Sequence, residues 1–180
     1  MNSAVPFKDM MQAGASTTEQ ALAWFDSLDP VDEAFMLGRW RGRGVVTGHP
    51  MDGLLELFNW YGKEFLSAEA VHPLLFTASD GSLVKLDPRW MSMKHARNTP
   101  LARHAISRRL FSALSRLMRT EQPRARLRMI EYRGKVSAAM QYDNLPINDI
   151  FHRIDDNTVL GVMDLKGMRQ PFFFLLEREG

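Results

Sequence analysis

The chain has 180 residues, 45% of them hydrophobic and 24% charged, which fits one compact domain and excludes disordered, collagenous and coiled-coil chains. With no cysteine it can hold no disulfide staple, thiolate nucleophile or cysteine-ligated zinc or iron–sulfur centre. The net charge of +2 hides an uneven spread, because residues 94–128 hold ten basic side chains against Glu121 alone while both flanks are net acidic.

The opening residues, MNSAVPFKDMMQAGAS, lack the pattern of a signal peptide, and the densest apolar run is only Phe172 to Leu176, so cytoplasm is the expected location. Thr17 to Leu28 predicts a helix, since Ala21, Leu22, Phe25 and Leu28 recur at helical spacing behind a capping pair at its start. Asp29-Pro30 ends it, and a short second helix over Val31 to Leu37 leads into a strand from Gly38 to Thr47 with one small-residue face. After the Gly48-His49-Pro50 turn, Leu54, Leu55, Leu57 and Phe58 predict a short helix ending near Trp60-Tyr61-Gly62. Short strands follow at Lys63 to Leu66, His72 to Ala78 and Ser82 to Asp87.

Pro100 to Arg119 is amphipathic, with Ile106, Leu110, Leu114 and Leu117 on one side, and predicts a helical insertion over the barrel or across its mouth. Arg126 to Arg133 and Lys135 to Asp143 form a hairpin around Gly134, the second strand alternating so that Lys135, Ser137, Ala139 and Gln141 face water. Asn148 to Arg153 predicts a helical turn. Thr158 to Leu165 and Phe172 to Arg178 are strands, the last apolar on both faces and therefore covered on both. About eight strands with helices at one end match the number that closes an antiparallel barrel around side chains or one small ligand. The fold expected is a mainly β (α+β) single domain over 1–180, with a first module at 35–93, a basic helical insertion at 94–125 and closing strands at 126–178.

Gly38-Arg39-Trp40-Arg41-Gly42 resembles the signature of a bacterial family named for its Gly-x-Trp-x-Gly motif, whose members add a carboxy-terminal domain of unknown function. The similarity extends through Gly48-His49-Pro50 to Trp60-Tyr61-Gly62-Lys63, and again through Ala138 to Asp143, Leu145-Pro146-Ile147, Asp155 to Thr158 and Leu160 to Met168. More distantly, the motif is similar to the first strand of calycins, the lipocalins, fatty-acid-binding proteins and haem-binding nitrobindins, and nitrobindins share its third glycine, here Gly44. That resemblance implies a calycin-like barrel with Arg178, at the end of the last strand, packed over Trp40. Trp40, Arg178, Gly38 and Gly42 are accordingly expected to be structural, with Trp40 plugging the barrel's closed end.

No histidine pair has zinc-helix spacing, no Gly-x-Ser-x-Gly elbow occurs and no phosphate loop occurs, so no metal site is expected and classical hydrolases lose support. The expected function is binding or carriage of a hydrophobic small molecule, such as a fatty acyl, isoprenoid or aromatic metabolite. Its expected lining is Met140, Tyr142, Met163 and Phe174, with Trp60, Tyr61, Lys63 and His49, and helices 53–60 and 106–118 near the mouth. Catalysis is the alternative: a titrating pair drawn from His49, Lys63, Asp143, Asp149, Asp164 and Lys166 could move protons in the same pocket, though surface salt bridges and turn caps explain those residues more simply. No cofactor is expected, yet haem held by one of His49, His72, His95, His104 or His152 stays open. As partners, an anionic membrane surface ranks above nucleic acid for residues 94–128, whose only aromatic ring is Phe111.

Overall fold

The structure is a computed structural model that describes residues 16–90 and 117–180, apart from the Trp90 side chain. Most of the expected basic helix and of helix 106–118, with His95, His104, Phe111 and the arginines through Arg116, therefore lies outside the described residues, as do residues 94–116 of the 94–128 surface through which a membrane contact was expected. Helix α1 (Thr18–Ser27) begins at a capping box in which the Thr17 hydroxyl accepts from the Gln20 amide and the Gln20 side chain accepts from Thr17. Helix α2 (Glu33–Met36) is capped by Asp32, and α3 (Leu54–Leu57) is a single turn.

The strands are β1 (Asp29–Pro30), β2 (Gly38–Gly44), β3 (Trp60–Ser67), β4 (Ala70–Thr77), β5 (Leu83–Lys85) and β6 (Ala125–Tyr132). Then follow β7 (Lys135–Tyr142), β8 (Ile147–Asp155), β9 (Thr158–Leu165) and β10 (Phe172–Arg178). Eight of them close a ring in the order β2, β3, β4, β6, β7, β8, β9, β10 and back to β2, every neighbour antiparallel, while β5 pairs only with β4 and β1 only with β8. The seam between β4 and β6 is the narrowest, joined at the single register pair Val71–Ala125. The expected eight-stranded antiparallel barrel is thus the observed one.

Alternation along the strands sorts side chains into two cores. Trp40, Phe65, Leu127, Met140, Phe151, Phe174 and Leu176 point inward, whereas Ala139, Ile150, Leu160, Val162, Phe173 and Leu175 point outward and are roofed by Ala21 and Phe25 of α1. The both-sided burial expected for β10 follows from that roof. It also corrects three expectations. The second face of β7 is not wet: Ser137 and Ala139 are fully buried, Ser137 bonding Val31 and Phe151, and the Lys135 ammonium donates to the Asp26 and Leu28 carbonyls at the end of α1. Asn148 to Arg153 is no helical turn but the middle of β8, because Ile147, Asp149 and Phe151 face in while Ile150 and His152 lie under α1. Helices do not gather at one end: α2 sits beside the start of β2 and α3 beside its finish.

The α2 end is closed by Trp40, which is 0% exposed and donates its indole N–H to the Met36 carbonyl at 2.8 Å. The Arg178 guanidinium lies 4.2 Å from the Trp40 ring centroid and donates to the Leu37 and Phe35 carbonyls. Both motif glycines have a steric cause. Gly38 adopts φ 115, and a Cβ at Gly42 would fall 2.2 Å from the Trp60 ring, so the signature carries Trp40 and leaves room for Trp60 in the same inner core.

Candidate ligand site in the barrel

At the α3 end, side chains from six strands and from the β2–β3 connection leave an apolar cavity of about 70 Å³. Trp60 and Lys63 come from β3, Leu74 from β4, Tyr142 from β7, Ile147 and Asp149 from β8, Met163 from β9, and Phe172 and Phe174 from β10; Met51, Leu55 and Leu145 complete the wall. The aromatic walls depend on glycine in a second place too, since a Cβ at Gly161 would lie 2.4 Å from the Phe174 ring.

Lys63 and Asp149 meet in this apolar setting as an ion pair of 2.8 Å, their side chains 3% and 2% exposed. The Lys63 ammonium also donates to the Pro73 carbonyl at 3.2 Å, stands 3.5 Å from the Tyr142 hydroxyl, and lies 5.1 Å from the centroid of Phe174 and 5.6 Å from that of Trp60. Burial pushes the Asp149 carboxyl above the usual carboxylate range, and Lys63 opposes that shift. The Tyr142 phenol is pushed well up, by burial first and by the Asp149 charge second. Two buried polar atoms on residues that line the cavity, Oδ1 of Asp149 and the indole N–H of Trp60, have no hydrogen-bond partner among the described residues.

Of the residues expected to line the site, Trp60, Lys63, Tyr142, Met163 and Phe174 stand together around the cavity. The other three are elsewhere. Met140 is in the inner core without reaching the wall, and Tyr61 points out of the barrel and donates to Glu179. His49 is buried beside Phe172: its Nδ1 accepts from the Met51 amide at 3.0 Å, so the proton sits on Nε2, which faces the Met168 sulfur. It is a strut for Met51 rather than a wall, and burial holds its pKa below the usual histidine value. His152, on β8, stacks on Phe25 at 3.7 Å, and His72 is likewise buried without lining the cavity. Among the polar set, Lys63 and Asp149 form the pair, which corrects the simpler expectation of surface bridges and caps for these two. Among the described residues no group of three or more histidines and acids could hold a metal ion. No described helix is long and apolar enough to cross a membrane.

Asp149 was obscured at the sequence level by the helical reading of its segment; read as a strand, Ile147-x-Asp149-x-Phe151 points one acid inward between two apolar residues. Met51, Leu55 and Leu145 come from connections, where no periodicity marks an inward side chain.

The comparisons with known proteins agree with this architecture. Residues 23–81 match the model of the GXWXG protein family, and residues 123–178 match a domain of unknown function, DUF4334. The crystal structure of a protein from Thermomonospora curvata is similar with a TM-score of 0.71 and 32% identity, covering 97% of this chain and 96% of that one. Among curated proteins none matches. With the motif seating both tryptophans, the carboxy-terminal strands supplying Asp149, and a relative alike along the whole chain, the protein belongs to the family that joins a GXWXG module to a DUF4334 domain.

Proposed function

We propose that the barrel binds a compact hydrophobic molecule, or the branched end of a larger one, in the cavity walled by Trp60, Met163 and Phe174. The observation that carries this reading is an apolar space enclosed by aromatic and methionine side chains inside the barrel, beside the buried Lys63–Asp149 pair. Pockets for drug-sized ligands run to roughly 300–1,000 Å³, so a cavity of about 70 Å³ suits an isoprenoid-like tip better than a long acyl chain or a haem. Met51 and Met163 are flexible walls that can widen it. The test is methionine-methyl NMR with 3-methylbut-2-en-1-ol as probe. Saturable shifts at Met51 and Met163, abolished when Met163→Trp fills the space, are expected. Absence of saturable shifts, together with native mass spectra showing only the bare chain, overturns the reading.

A second reading, proton transfer on the bound molecule, draws on the Asp149 carboxyl, which lines the cavity, is raised by burial and has one oxygen with no hydrogen-bond partner among the described residues. It predicts deuterium exchange from D2O into small unsaturated carbonyl compounds that is lost in Asp149→Asn.

A further inference from the structure

A second cleft, of about 420 Å³, shares Tyr142, Leu145 and Ile147 with the inner cavity, so the two spaces adjoin at these side chains. Its chemistry is the opposite of the cavity's. Arg126 and Lys166 are exposed there, and neither pairs with a carboxylate among the described residues. Asp143 is the one acid in the lining, and the amides of Gln141 and Asn148 face each other at 3.4 Å. Two cations against one acid leave the cleft with a net charge of +1, which suits a single carboxylate better than a phosphate dianion.

The inner cavity would refuse such a group. Lys63 is already matched by Asp149, and the second Asp149 oxygen has no hydrogen-bond partner among the described residues, so an anion placed inside meets like charge and loses its hydration. The orientation of a ligand spanning both spaces is therefore fixed, with its charge outside.

We propose that the cleft is the head-group half of the same site and that the ligand is a compact apolar acid, its hydrocarbon end in the cavity and its carboxylate at Arg126 and Lys166. This rests on the reading that the cavity holds an apolar ligand. Carboxylate recognition by Arg126 gains from charge-assisted hydrogen bonds, and exposure of both cations makes it sensitive to salt.

The test is isothermal titration with two probes sharing one hydrocarbon body, 4-methylpentanoate and 4-methylpentan-1-ol. At low salt the carboxylate should bind at least tenfold more tightly than the alcohol. That preference should fall close to unity in Arg126→Gln/Lys166→Gln, whose exposed positions leave the fold intact, and Met163→Trp should abolish binding of both probes. A carboxylate no tighter than the alcohol, or a preference unchanged in the double variant, overturns the head-group assignment; saturable binding of the alcohol in that case leaves the cavity reading standing. Binding of neither probe removes both.

Discussion

Lys63 and Asp149 show how one buried pair can be costly to make and more costly to break. Bringing both charges out of water is expensive, and the 2.8 Å ion pair and the 3.2 Å bond to the Pro73 carbonyl offset only part of it. Removing one partner strands the other charge against Trp60 and Phe174. Lys63→Met is therefore expected to lower unfolding free energy by about 3–5 kcal/mol, whereas Lys63→Met/Asp149→Leu, with no charge left inside, should recover most of that loss. Urea denaturation of Lys63→Met, Asp149→Leu and the double variant checks this. Recovery of stability by the apolar double variant would mean that the pair is retained for what it presents to the cavity.

Among the elements, α1 has the largest effect for its size, because one helix turns four outward strand faces into a second core. Phe25 is 0% exposed, stacked on His152, and edge-on to Tyr132 at 6.2 Å. Phe25→Ala should destabilise by about 3–5 kcal/mol, and it should do so without touching the cavity, since none of its contacts lines that space. The measurement is thermal or urea unfolding paired with a probe titration: a large stability loss with unchanged probe affinity is the expected outcome. A parallel loss of affinity at full folding would show that the outer core sets the shape of the inner one. The β8 strand depends on the same helix, which covers Ile150 and His152 on one face while Ile147, Asp149 and Phe151 fill the barrel on the other.

For the molecule as a whole, pH acts through buried imidazoles. His49, His72 and His152 all have pKa values held below the usual 6.5, burial being the largest cause in each. A base whose folded pKa is depressed is protonated in the unfolded chain before it is protonated in the fold, so stability rises with pH across that window. It is fully present above about 6.5 and is lost as pH falls through 6.5 toward the lower folded values. Unfolding free energy should therefore drop between pH 7.5 and 5.5, above the range where Asp26 and Glu64 begin to titrate, and the drop should shrink in His49→Gln/His152→Gln. Urea titrations at the two pH values check it; a flat profile would mean that these rings protonate in place. At Met51 the protonation has a visible site, because the His49 Nδ1 that accepts its amide would become a donor.

The sequence by itself determined the strands that alternate or are bounded by turns and the capped first helix, because spacing, glycine and capping chemistry act within a few residues, while the Arg178 cover over Trp40 was legible only through the resemblance of the motif to the calycin first strand. Only the tertiary structure decided that β8 is a strand, that the second face of β7 is dry, and that Lys63 of β3 meets Asp149 of β8. For β8 the reason is burial on both faces. A strand buried on both faces shows no period of two, so the identity of its segment is settled by what covers it, here α1 on one side and the barrel interior on the other. The ion pair joins residues far apart in the chain, and ring closure alone sets the register that faces them across the cavity.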